Sequence, residues 1–155
     1  MNDLVKEDKI MIEDMKEADL SEVLKIEDQS FSDPWTCNMF KAELSNPFSN
    51  IWLSRNGNGA IMGYICFWII EDEAHILNLA VDPLYRGKGV GSMLLSASLD
   101  YWGRKGIKVV YLEVRESNIT ARKLYDKFDF KIMMRRPKYY RKPVEDAFIM
   151  GLEMK

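Results

Sequence analysis

The sequence predicts a mixed α/β fold in which helices flank one central β-sheet. Three observations carry that reading. Residues 49–81 contain three apolar runs parted by short polar turns, the pattern of a β-meander. Residues 90–105 switch to a helical period, with Val90, Met93, Leu94, Ala97, Tyr101 and Trp102 on one stripe. Two strand–helix crossovers and two closing strands complete the pattern, which implies a mixed sheet.

The elements follow in order. Residues 1–9 read as a polar lead-in, and Lys9 to Met15 as a first strand. Asp19 stands where a helix N-cap belongs, with Glu22 at the reciprocal position. Leu20, Val23, Leu24 and Glu27 share one mostly apolar face, followed by Phe31, and Ser32-Asp33-Pro34 breaks the helix. Thr36 can cap a second short helix through Leu44. Ser49 to Arg55 and Ala60 to Ile70 read as strands, and Asn56-Gly57-Asn58-Gly59 between them is a hairpin signal, since Asn and Gly tolerate positive φ. Glu71 to Glu73 is another tight connection, and Ala74 to Val81 completes the meander before Asp82-Pro83. The long helix from Val90 to Lys105 stops at Gly106. Ile107 to Val114 is a buried strand, and Asn118 caps a helix carrying Ala121, Leu124, Tyr125 and Phe128 on one face. Phe130 to Met134 and Ala147 to Met154 close the sheet, and Phe148, Met150, Leu152 and Met154 share one side of the last strand. The order is therefore β-α-α-β-β-β-α-β-α-β-β.

A chain of 155 residues, 47% apolar and 30% charged, is long enough to bury a core without disulfides or a structural metal. With neither a repeat nor a Pro/Gly/Ser-rich linker, residues 1–155 read as one domain. A net charge of -2 argues against general nucleic-acid binding, which needs a basic excess. The two cysteines, Cys37 and Cys66, support neither a disulfide framework nor a cysteine zinc site. Residues 65–70 form the longest apolar run, far too short to span a bilayer, and residues 1–8 lack the apolar stretch of a signal peptide. A cytoplasmic protein without metal or membrane association is the expectation.

The most informative stretch is Tyr85-Arg86-Gly87-Lys88-Gly89-Val90-Gly91-Ser92, between a strand and the long helix. Alternate glycines let the backbone approach a ligand closely and present several N–H groups together. Those groups lie at the positive end of the helix, which suits a phosphate or pyrophosphate. A flexible turn with glycines for tight packing explains the spacing equally well. A P-loop needs Gly-Lys-Ser/Thr, but Gly89 follows Lys88, and a dinucleotide fingerprint needs G-x-G-x-x-G where this chain has G-x-G-x-G.

Arg86-Gly87-Lys88-Gly89-Val90-Gly91 resembles the R/Q-x-x-G-x-G/A acetyl-CoA motif of the GNAT acetyltransferase superfamily. Leu77-Asn78-Leu79-Ala80-Val81-Asp82-Pro83, Leu112-Glu113-Val114-Arg115 and Asn118-x-x-Ala121-x-x-Leu124-Tyr125 match it as well. Residues 31–36 and the Tyr139-Tyr140 and 143–147 segments are most similar to the bacterial ribosomal-protein-alanine N-acetyltransferases, the RimI group. The resemblance covers about residues 10–154. It implies a GNAT-like fold, acetyl-CoA as co-substrate and the N-terminal alanine of a small-subunit ribosomal protein as acceptor. Acceptors of other kinds, such as lysine side chains or small amines, use the same coenzyme motif, so the glycine turn does not separate them. A noncatalytic CoA-binding module would need neither Glu113 nor Tyr125. In one departure, Asp129-Phe130 stands where similar chains have Gly-Phe. Aspartate tolerates a left-handed helix end better than most residues, though less well than glycine.

Transfer of an acetyl group from a thioester to an amine requires a proton acceptor, donors for the oxyanion and a proton for the leaving thiolate. Glu113 interrupts an apolar strand near its C-terminal end; by pattern it is equally an ordinary strand-end carboxylate beside Arg115. A free glutamate ionises near about 4.3 and an α-ammonium near about 7.7–8.0, so direct transfer is uphill unless burial narrows the gap or water relays the proton. The resemblance aligns Glu113 with the general base and Tyr125, otherwise a helix-face aromatic, with the general acid. It places Arg86, Gly87, Lys88, Gly89, Val90, Gly91 and Ser92 on the coenzyme, with Asn118 as both cap and contact. Leu79, Ala80 and Val81 are expected to offer backbone groups where strands of this superfamily splay. Trp35, Tyr139 and Tyr140 flank the expected acceptor side, as clamp or as loop packing. His75, the single histidine, reads as structural, and Cys66 as core. The run Arg135, Arg136, Lys138, Arg141 and Lys142 reads as a solvated basic face, open to an acidic surface or ribosomal RNA.

Overall fold

Residues 61–67 are buried without interruption. A strand buried on successive residues must be covered on both faces, because neighbouring side chains point to opposite sides. In the computed structural model, which describes residues 10–155, this run forms β3 (Ile61–Ile70), third in a seven-stranded sheet. The other strands are β1 (Met11–Asp14), β2 (Ser49–Arg55), β4 (Glu73–Val81), β5 (Val109–Arg115), β6 (Lys131–Arg141) and β7 (Val144–Glu153). Their order across the sheet is β1-β2-β3-β4-β5-β7-β6. All neighbours run antiparallel except β4 and β5, which are parallel.

Among the described residues four α-helices cover the sheet: α1 (Leu20–Ser30), α2 (Cys37–Ser45), α3 (Val90–Arg104) and α4 (Ile119–Lys127). Ile65 and Phe67 point into a core with Leu94, Leu95 and Trp102 of α3 and Tyr125 of α4. Tyr64 and Cys66 point the other way, into a core with Val23 and Ile26 of α1 and Phe40 of α2. This is a mixed α/β sheet flanked by helices, and the order of helices and strands along the chain matches the predicted one.

Several local details differ from the sequence reading. Of the predicted strand 9–15, residues 11–14 form β1, and Lys9, with the rest of the lead-in 1–9, lies outside the described residues. Asp19 does not cap α1 through its side chain. It closes a single 3-10 turn, where its carboxylate accepts from the Lys16 N–H at 2.9 Å and pairs with Arg55. A charged partner on β2 thus outcompetes the cap. Thr36 and Asn118 do cap, accepting from the N–H groups of Met39 (3.2 Å) and Ala121 (3.1 Å). Strand β6 runs past the expected Met134 to Arg141, and β7 begins at Val144. Pro137 and the basic run are tolerated because β6 is the sheet edge and its register shifts between Arg136 and Tyr140. Asp129 takes the left-handed conformation at φ 70°, as its place after α4 requires.

Candidate active site

Strands β4 and β5 pair only from Glu73↔Val109 to Ile76↔Leu112. Both continue beyond those residues, so the sheet opens between them. On its other edge β4 carries a bulge: Ile76 lies opposite Phe67 and Asn78 opposite Cys66, which leaves Leu77 unmatched. A bulge bends its strand and increases the local twist, which turns the second half of β4 away from its neighbour.

Two cavities meet at this opening. One, of about 440 Å³, runs beneath the glycine turn and is lined by Arg86, Gly87, Gly89, Val90, Gly91 and Ser92 together with Leu79, Ala80 and Val81. The other, of about 400 Å³, reaches Glu113, Trp35 and Tyr140. Phe31, Leu79, Asn118, Ala121 and Tyr125 line both. Val110, Leu112 and Val114 of β5 face the α3–α4 core, so Glu113 faces the opposite side, while Tyr125 comes from α4. The gap between the strands lets a residue from each side of the sheet line one cleft.

The first cavity fits a phosphorylated coenzyme. Gly87 and Gly89 have φ of 75° and 82°, and a Cβ on either would meet no atom within 4 Å. The turn therefore has open space beside its backbone. Gly89 caps α3 with no side chain over the first N–H groups, which leaves them for an anion. Arg86 is tethered: Nε donates to the Val81 carbonyl at 2.9 Å and Nη2 to Ser30 Oγ at 3.0 Å. Lys88 does not line the cavity; its ammonium sits 5.8 Å from the Tyr85 ring centre.

In the second cavity Glu113 Oε2 lies 2.7 Å from His75 Nε2. The single histidine, read from sequence as structural, is thus brought to the candidate base. Its ring packs edge-on to Trp68 at 6.1 Å, and Trp68 Nε1 donates to Glu43 Oε1 at 2.5 Å. Only the period-2 facing of β4 and β5 carried a signal for this pairing. Tyr125 is 6% exposed, and burial pushes its phenol up, so the proton stays on at neutral pH.

The far wall is built by Arg115, two residues after Glu113. Its guanidinium donates to the carbonyls of Pro143 (2.9 Å) and Lys142 (3.0 Å), pairs with Glu145 at 3.2 Å and lies 4.2 Å from the Tyr140 ring centre. Burial pushes the Tyr140 phenol up to about 12. Tyr139 does not line the cleft. Half-exposed, it packs against Tyr140 at 5.0 Å and under Arg136 at 4.9 Å, within the stretch where the β6 register shifts. Across the mouth, Ser32 Oγ donates to the Lys142 carbonyl at 3.0 Å, and Trp35 packs on Phe40 at 5.1 Å. Glu27, unmarked in the sequence reading beyond its helical face, lines the floor.

The pattern that defines the acetyltransferase (GNAT) family matches residues 20–130. The chain belongs to that family. Among its members, the ribosomal protein bS18-alanine N-acetyltransferase of Escherichia coli K12 is 33% identical over 145 residues, 91% of this chain and 95% of that protein. The Haemophilus influenzae enzyme of the same name is 34% identical over 144 residues, covering 91% and 97%. A crystal structure of the ribosomal-protein-S18-alanine N-acetyltransferase from Escherichia coli superposes with a TM-score of 0.87 at 30% identity, covering 94% of each chain. Ard1 from Thermoplasma volcanium gives 0.84 at 27% identity, covering 94% of this chain and 98% of that one. Membership of the family makes this an acyltransferase with acetyl-CoA as co-substrate.

Proposed function

We propose that the chain is a single acetyltransferase domain that acts in the cytoplasm, moving the acetyl group of acetyl-CoA onto the N-terminal alanine of ribosomal protein bS18. Identities of 33–34% over nine-tenths of the chain to enzymes of that name support the acceptor. The observation that carries the chemistry is the meeting of two cavities at Tyr125 and Leu79, with Glu113 in one and the glycine turn in the other.

Acetyl-CoA supplies an activated carbonyl and a thiolate leaving group. The turn from Arg86 to Ser92 binds the phosphates through backbone N–H groups at the start of α3. Asn118, already committed as a cap through its side chain, contacts the coenzyme from the shared wall. Backbone groups of Leu79, Ala80 and Val81, left without a β5 partner, hold the pantetheine arm and polarise the carbonyl. The acceptor enters between Trp35 and Tyr140, with Tyr139 outside as a contact for residues further along the peptide. Glu113 takes the proton from the ammonium, directly or through water, and His75 Nε2 holds its carboxylate in place. Tyr125 returns a proton to the departing sulfur. Each group thereby serves one of the three demands of the reaction.

The test is turnover of acetyl-CoA against a panel of N-terminal peptides, internal-lysine peptides and polyamines, with mass spectrometry locating the acetyl group. Acetylation of the α-amine of an alanine-starting bS18 peptide is expected. Preference for a lysine or polyamine would overturn the acceptor, and coenzyme binding without any turnover would overturn the activity.

A further inference from the structure

Glu27 is a carboxylate in the wrong company. It stands on the face of α1 that carries Val23 and Ile26 and is 1% exposed. Burying a charge is costly unless it is hydrogen-bonded or paired. Among the described residues its partners are three uncharged donors, each from a different part of the fold. The Tyr64 hydroxyl of β3 and the Asn78 side-chain amide of β4 donate to Oε1, and the Trp35 backbone N–H donates to Oε2 at 3.2 Å.

The placement of those donors is informative. Residues 31–36 have no regular structure, so a buried N–H there needs a partner from outside the segment. This connection supplies one wall of the acceptor-side cleft through Asp33, Pro34, Trp35 and Thr36. Asn78 follows the bulged Leu77 and precedes Leu79, which lines both cavities. One carboxylate therefore joins the acceptor wall to the half of β4 that has left β5.

We infer that Glu27 is a positioning residue: it fastens the 31–36 connection to the post-bulge half of β4 and so sets the width of the acceptor cleft. This rests on the reading above that the cleft receives the amine.

Reach and charge can be separated by two conservative variants. Glu27→Gln keeps the length of the side chain. Its carbonyl still accepts from the Trp35 N–H, and its amide group can face the Tyr64 oxygen and a turned Asn78 carbonyl. Glu27→Asp keeps the charge but is one methylene shorter. For Glu27→Asp the expected result is a rise in the acceptor KM of about tenfold or more. The acetyl-CoA KM should stay within about twofold, and amide hydrogen exchange in residues 31–36 should be faster. Glu27→Gln is expected to match the wild type in all three. Damage to Glu27→Gln with Glu27→Asp spared would mean the charge acts, not the tether, and overturns the inference. Equal damage, no damage in either, or parallel rises in both KM values also overturn it. If Glu27→Asp does not fold, Glu27→Leu, which keeps the bulk but loses both acceptor oxygens, takes its place beside Glu27→Gln, with the same supporting and overturning outcomes. The kinetic comparison uses whichever amine the wild-type protein acetylates, so a wrong acceptor shows in the wild type and leaves the Glu27 comparison intact. Exchange at residues 31–36 reads the tether without any turnover.

Discussion

Glu113 and Tyr125 come from opposite sides of the sheet, and the proposed reaction gives them opposite proton tasks. Glu113→Gln keeps the shape of the side chain and its contact with His75 while removing the proton acceptor. Turnover is expected to fall by about 10²–10⁴, the usual contribution of a positioned base, with acetyl-CoA affinity unchanged. Because the amine then has to lose its proton to solvent, activity should partly recover as pH rises through the α-ammonium range. A pH–rate profile beside calorimetric coenzyme binding checks both halves. For Tyr125→Phe the ring stays against Phe130, 5.6 Å away, and only the oxygen is lost. Turnover should drop while acetyl-CoA affinity holds, the mark of an interaction made mainly in the transition state. The deficit should shrink with an acyl donor whose thiol has a lower pKa. An equal deficit for both donors, with chemistry rate-limiting, would make Tyr125 a positioning residue instead.

The glycine turn and the bulged strand act as elements, through backbone rather than side chains. At Gly89 no protein atom stands near a would-be Cβ, so within the protein substitution is resisted only by the left-handed φ. Gly89→Val therefore carries a backbone cost of about 1–2 kcal/mol and puts a branched side chain into the proposed phosphate site. Expected is a large loss of acetyl-CoA affinity in a folded protein; unchanged affinity by calorimetry would remove the turn from the coenzyme site. At the end of α4 the strain has no such purpose. Asp129→Gly relieves the φ of 70° and should raise stability by up to about 1 kcal/mol, partly offset by glycine's unfolded-state entropy, with turnover unchanged. Urea unfolding beside a steady-state assay measures both.

Across the whole molecule, two buried or half-buried carboxylates pull the pH dependence of stability in opposite directions. The Ser117 and Arg115 hydrogen bonds hold Glu145 below the usual carboxylate range, so its contribution is present above that range and lost as pH falls through its lowered value. Burial pushes Glu27 the other way, against the pull of its three donors. Between about 4.3, where an unfolded glutamate ionises, and its raised folded value, the native state holds the extra proton, so stability falls with rising pH there. Glu27→Gln removes that slope. Its stability relative to wild type is expected to grow as pH rises from about 4.3 and then level off, read from urea midpoints between pH 4 and 8. A constant gap would show that Glu27 does not titrate in folding. The sequence by itself determined whatever rests on a few neighbouring residues: the caps at Thr36 and Asn118, the Gly87–Gly91 turn with its resemblance to an acetyl-CoA motif, the alternation in β7, and hence the order of elements along the chain. Tertiary structure decided what depends on distant strands meeting. His75 reaches Glu113 across 38 positions and Asn78 reaches Glu27 across 51. Local periodicity says which face a residue takes; it does not say what stands opposite. Asp19 went to Arg55 rather than to its helix because a charged partner on β2 outweighed the local preference, and Tyr140 rather than Tyr139 lined the cleft at the point where pairing with β7 shifts the β6 register.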